Sequence, residues 1–141
     1  MIYDVLMRYI FKLSTPWIME LEWHLFSILF LLGSAFTFQV DRHVRVDLFY
    51  SKLSSKDKAR TNLMGNLLFL LPWCLFIMKY SFDYALLSYQ IGEGSPDPGG
   101  LPYRFVIKFC IVLGFFLLAL QSISNSLECV QILKQEKLKE Y

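Results

Sequence analysis

The chain has 141 residues, 55% of them hydrophobic and 17% aromatic, with 13 Phe and a formal net charge of +2. Unbroken runs of Phe and Leu at this density are foreign to a soluble domain of this size, and the charges gather between the runs instead of mixing with them. No Gly-rich phosphate loop, basic nucleic-acid stripe or low-complexity tract is present, so nucleic acid is excluded as a partner and the lipid bilayer is expected as one.

Residues 2–13 (IYDVLMRYIFKL) are apolar but interrupted by Asp4, Arg8 and Lys12. About 20 residues are needed to cross a hydrocarbon layer of about 30 Å, so this piece cannot span by itself. It reads either as an interfacial amphipathic helix or as the end of a partial span. A signal peptide is not indicated, because Met1-Ile2-Tyr3-Asp4 lacks a basic start and no small-x-small cleavage site follows.

Ser14-Thr15-Pro16 supplies a hydroxyl cap followed by Pro in the first turn, which predicts a helix from Pro16 to Val40. Ten strongly apolar residues lie between Leu25 and Val40, with no Asp, Glu, Lys or Arg from Trp23 to Val40. At about −0.3 to −0.6 kcal/mol each, they favour the bilayer by about 3 to 6 kcal/mol. Such a helix is about 37 Å long, so its first turns, with Trp17, Glu20, Glu22 and Trp23, belong to the headgroups. Glu20, Ser27, Ser34 and Asp41 recur every seven residues beside Gly33, and small or polar residues on one face mark the side that packs against another helix. His24 is expected to be an interfacial side chain.

The segment from Asp41 to Thr61 is basic: Arg42, Arg45, Lys52, Lys56, Lys58 and Arg60 against Asp41, Asp47 and Asp57. Asp47 can cap a short helix, and Ser54 a second one with Asp57 at its N3 position. A second span follows over residues 63–89, in which Pro72 is expected to kink the helix. Asn62, Asn66, Phe69, Trp73, Phe76, Tyr80 and Asp83 share one face of it. Lys79 and Asp83 stand four apart and can pair; each by itself would cost about 2.5 to 3.5 kcal/mol at the bilayer centre.

Gln90 to Arg104 (QIGEGSPDPGGLPYR) is a turn-rich loop built around Asp97-Pro98-Gly99-Gly100. The third span covers 103–128. Lys108 in its first turns is expected to snorkel to the interface, outweighed by twelve strongly apolar residues between Phe105 and Leu120. Gly114, Leu118, Gln121, Asn125 and Glu128 form its one-sided stripe, and 129–141 is a charged amphipathic tail.

The basic segment and the tail together hold nine Lys and Arg, against Arg104 in the 90–104 loop. The positive-inside rule therefore predicts the 41–61 loop and the C-terminus in the cytoplasm and the 90–104 loop in the periplasm. The expected fold is one all-α integral membrane domain with three full transmembrane helices, preceded by a short N-terminal helix.

No catalytic set is legible. His24 and His43 fall on opposite sides of the membrane by this topology, and the serines lack a partner base. The single cysteines Cys74, Cys110 and Cys129 match neither zinc nor redox spacing and read as free buried thiols. Neither cofactor nor metal is expected. Three spans without internal repeats are too few for a complete secondary transporter of the inverted-repeat kind, which leaves an accessory subunit.

Particular words support that reading. MRYIFKLSTPWIMELEWHLFSILFLLGSAF, HVRVDLFYSKLSSKDKAR, LFLLPW, GEGSPDPGGLPYRFVIK and LLALQS, in this order over nearly the whole chain, resemble the DctQ family. That family is the small membrane subunit of tripartite ATP-independent periplasmic (TRAP) transporters, multi-pass proteins of the bacterial inner membrane. The resemblance implies partners and no reaction. A large permease subunit would carry the substrate and sodium sites, and a periplasmic substrate-binding protein would deliver an organic acid or similar solute.

On the same resemblance, Arg42, Arg45 and Asp47 would fix the cytoplasmic end. Glu93, Gly99, Gly100 and Lys108 would shape the outer end. From their places on the stripes, at the interface and at the kink, Glu20, Trp23, Gln121 and Pro72 are expected to be partner-binding or structural. Family members normally have four spans, with RY-F closing the first, matched here by Arg8-Tyr9-Ile10-Phe11. Either the first span is truncated here or this member carries a short form. The rival reading is a stand-alone oligomeric exporter or channel with Asp83 as its coupling residue.

Overall fold

A computed structural model of the chain describes residues 2–10, 16–40 and 50–139. Its helices are α1 (Ile2–Ile10), α2 (Pro16–Gln39), α3 (Ser55–Gly65), a π-helical segment (Asn66–Leu70), α4 (Leu71–Gln90) and α5 (Phe105–Lys139). No strand occurs among the described residues. Three rods are long and apolar enough to cross a membrane: Pro16–Gln39, Ser55–Gln90 and Phe105–Leu138. The short N-terminal helix α1 precedes them, as expected.

Each helix starts and stops for a local reason. Helix α2 begins at Pro16, whose missing N–H costs nothing in a first turn. Its hydroxyls bond back to their own helix: Ser27 to the Trp23 carbonyl (2.7 Å), Ser34 to Leu31 (2.7 Å) and Thr37 to Gly33 (2.9 Å). That keeps polar atoms satisfied in a hydrocarbon setting. Ser54 caps α3 as predicted, its Oγ accepting from the Asp57 N–H at 3.2 Å and donating to Asp57 Oδ2 at 2.7 Å. Helix α5 begins past Tyr103, a non-glycine residue at φ 64°, which ends the loop in a left-handed turn.

Two local features go beyond what was expected. The third span and the tail form one 35-residue helix to Lys139, because no Gly or Pro interrupts residues 115–141. At Pro72, the π segment immediately upstream redirects the backbone bonding, with the Leu71 N–H reaching the Asn66 carbonyl five residues back. The proline ring follows a turn already widened, so the expected disruption takes the form of a π bulge.

Helix α5 is the shared spine. It packs along α4, α2 and α3, whereas α2 and α4 touch one another little. The packed surfaces are lined by small side chains: Ala59, Cys74, Ala85, Ser88, Ala119, Ser122, Ser126 and Cys129 are all buried. Phe26, Leu29, Phe30, Phe69 and Phe116 point outward. With no water to drive association, membrane helices gain by close approach, and small residues permit it. One such point is Gly114, where an added Cβ would stand 3.0 Å from Leu31 Cβ and 3.2 Å from its carbonyl oxygen.

Candidate functional site: a polar clamp at the loop end of the bundle

Several polar residues singled out in the sequence, Glu20, Glu93 and Lys108, converge where the 91–104 loop meets the starts of α2 and α5. Glu20, in the second turn of α2, is only 5% exposed. Its Oε1 accepts from Ser95 Oγ at 2.5 Å and its Oε2 from the Leu101 backbone N–H at 2.6 Å. One carboxylate oxygen thus holds each side of the loop, and charge-assisted bonds of this kind are the strong ones.

The loop is shaped to receive it. Ser95 N–H bonds the Leu101 carbonyl (3.1 Å), Gly100 N–H bonds Asp97 (3.0 Å), and Asp97 N–H bonds Ser95 Oγ (3.1 Å). Gly99 sits at φ 80°, where a side chain would strain the backbone. Gly100 has no room: a Cβ there would meet Ser95 Oγ and stand 2.7 Å from Glu20 Oε2.

A second link lies beside the first. Lys108 Nζ donates to Glu93 Oε2 and lies 3.7 Å from the Tyr84 ring centroid. The expectation that Lys108 snorkels outward is therefore corrected: it is 7% exposed, held between the loop and α4. The pull inward comes from a carboxylate and an aromatic face together. The Lys108 ammonium holds the Glu93 carboxyl below the usual glutamate range, with Arg104 adding to the effect. The Arg104 N–H bonds the Glu93 carbonyl (3.0 Å), and its guanidinium lies 6.0 Å from the Trp23 ring centroid. His24 stacks on Trp23 (3.9 Å between centroids), and its Nδ1–H donates to the Glu20 carbonyl at 2.5 Å. Both contacts lie within the first turns of α2, beside the clamp.

Below the clamp, α2 and α4 diverge over α5 and leave a cleft of about 480 Å³, lined by Trp23, Phe26, Phe30, Tyr84, Ile107 and Ile111 among others. Among the described residues no group of three or more His, Cys, Asp or Glu could hold a metal ion. Chemically, the clamp offers charged hydrogen bonds already spent on the chain itself. It can order three helix ends, and it presents no paired nucleophile and base.

The structure brings together Glu20, Trp23, Glu93, Gly99, Gly100 and Lys108. Pro72 and Gln121 lie elsewhere, Gln121 half-buried on α5 one turn before Asn125. Arg42, Arg45 and Asp47 fall outside the described residues, as does His43. Cys74, Cys110 and Cys129 are free thiols. Sequence reasoning missed Ser95, the Leu101 amide and Tyr84. It also missed the partnership of Asn66 with Asn125, whose side chains bond at 2.9 Å between the π segment and α5. The Lys79–Asp83 pair does not form: both side chains are exposed, and the Lys79 ammonium lies 5.8 Å from the Tyr80 ring centroid.

Three membrane-length helices with small residues between them, tied at one end by the clamp, define a multi-pass membrane component. Residues 1–132 match the family model described as tripartite ATP-independent periplasmic transporters, DctQ component. The chain therefore belongs to the DctQ family and is a small membrane component of a TRAP transporter. No curated protein matches it.

Proposed function

We propose that this subunit braces the large permease subunit of its transporter during sodium-coupled, binding-protein-dependent uptake of an organic acid or similar solute. The observation that carries the reading is the family match over residues 1–132. The clamp supports it, because a bundle whose helix ends are tied by Glu20 and by Glu93–Lys108 suits a fixed frame beside a moving partner. In this reading the basic 41–61 segment and the C-terminus face the cytoplasm, by the positive-inside rule. The clamp then faces the periplasm, on the side where a substrate-binding protein delivers solute.

Co-expression with an affinity-tagged permease subunit tests the proposal. The chain is expected to copurify, and proteoliposomes holding both subunits are expected to take up solute only with the binding protein and a sodium gradient. Undiminished uptake by permease and binding protein without this chain would overturn the bracing role. Transport by this chain in liposomes of its own would favour the stand-alone reading.

A further inference from the structure

The three long rods do not present the same kind of surface outward. Helix α2 exposes Leu25, Phe26, Leu29, Phe30 and Phe36, and α5 exposes Leu113, Phe116 and Leu120. Over these stretches the described exposed side chains are hydrocarbon, which lipid tails satisfy fully. Helix α4 differs. Its buried side carries Cys74, Ala85 and Ser88 against α5. Its opposite side carries Trp73, Phe76, Lys79, Tyr80 and Asp83, all exposed, with exposed Phe69 of the π segment just before them. Trp73, Phe76 and Tyr80 form a ladder with ring centroids 5.9 and 4.5 Å apart.

That face is a poor match to lipid. Trp73 lies midway along the 36-residue rod from Ser55 to Gln90, far from either end where indoles settle in a bilayer. It is 57% exposed, and its indole N–H has no acceptor among the described residues. Asp83 lies about 10 Å along the helix from Gln90 and Lys79 about 16 Å. Asp83 is too short to snorkel, and the two are not paired with each other. Charges at depth are kept where protein or water meets them.

We infer that the Trp73–Asp83 face of α4 is the surface that docks on the large permease subunit, with α2 and the outer side of α5 left to lipid. The inference rests on the bracing role proposed above. The partner it fits is a transmembrane helix of that subunit offering an acceptor to Trp73 and Lys79 and a donor to Asp83, across a stacked aromatic contact. Lipid is the competing occupant.

Photo-crosslinking decides between them. Photoreactive benzoylphenylalanine would replace Phe76 on α4, Leu29 on α2 or Phe116 on α5, each variant co-expressed with the tagged permease subunit. Position 76 is expected to crosslink to the permease, and positions 29 and 116 are not. A copurified complex whose crosslinks arise from 29 or 116 and not from 76 would overturn the docking face while leaving the bracing role standing. Failure of the unsubstituted chain to copurify would overturn both.

A second measurement uses the double variant Lys79→Leu/Asp83→Leu. These side chains make no ion pair or hydrogen bond within the described residues, so the melting of the isolated chain in detergent should not move. Recovery of the complex is expected to fall at least ~10-fold, about 1.4 kcal/mol of association. Wild-type recovery of the double variant would mean that lipid covers this face.

Discussion

At Gly100 the clamp leaves no space between Ser95 Oγ and the Glu20 carboxylate, whereas Gly94, six residues earlier in the same loop, faces open space. Gly100→Ala should therefore destabilise the chain by about 1 to 3 kcal/mol through forced displacement, and Gly94→Ala should be nearly neutral. Thermal unfolding in detergent compares the two. Glu93 makes the acid response predictable in sign. Its carboxyl is held below its usual range in the folded chain, so its stabilising effect is complete above the unfolded glutamate pKa of about 4.3. It is lost as pH falls through the lower folded value. Wild type should melt higher than Glu93→Gln at neutral pH, and the gap should close in acid. Much of this site was legible as residue types: Glu20, Glu93, Gly99, Gly100 and Lys108 stood out as charges and turn formers beside apolar runs. What they bind was not. Glu20 is answered by a serine and a backbone amide 75 and 81 residues away, and a backbone amide leaves no mark in a sequence.

Among the elements, the π segment and α5 are joined by a side-chain bond, Asn66 Nδ2 to Asn125 Oδ1. Asn66 is 5% exposed, so Asn66→Leu removes this bond inside the bundle and leaves Asn125 Oδ1 with the long Cys129 Sγ contact at 3.8 Å. The single variant should cost about 0.5 to 2 kcal/mol, and Asn66→Leu/Asn125→Leu should recover part of it. A double-mutant cycle on chemical unfolding in detergent measures the coupling. Both asparagines were visible as members of one-sided stripes on separate helices. Their pairing was hidden because the axial offset between helices is set by where backbones approach closely, as at Gly114 on Leu31. Pro72 shows the same limit. The sequence marks a disturbance there, but whether a chain bends, breaks or takes up a π turn depends on the neighbouring helix.

For the molecule as a whole, apolar runs and basic clusters carry most of the information. The three rods emerged at nearly their expected places because hydrocarbon imposes length and backbone satisfaction on any chain that crosses it. The proposed orientation is open to a direct test. A cysteine placed at Gly94 should react with a membrane-impermeant maleimide added outside intact spheroplasts. One placed at Asp57, exposed near the start of α3, should react only after lysis. The reverse pattern would invert the topology.

The central position of α5 has a consequence for biogenesis. Helices α2 and α4 leave the ribosome before α5, yet each finds its main neighbour in that later helix. Until residues 105–139 have entered the bilayer, the earlier spans drift there without a mate, Glu20 without its loop in place and Asn66 without Asn125. Nascent chains halted near residue 104 should accordingly be prey for membrane proteases. Supplying α5 as a separate polypeptide should rescue them.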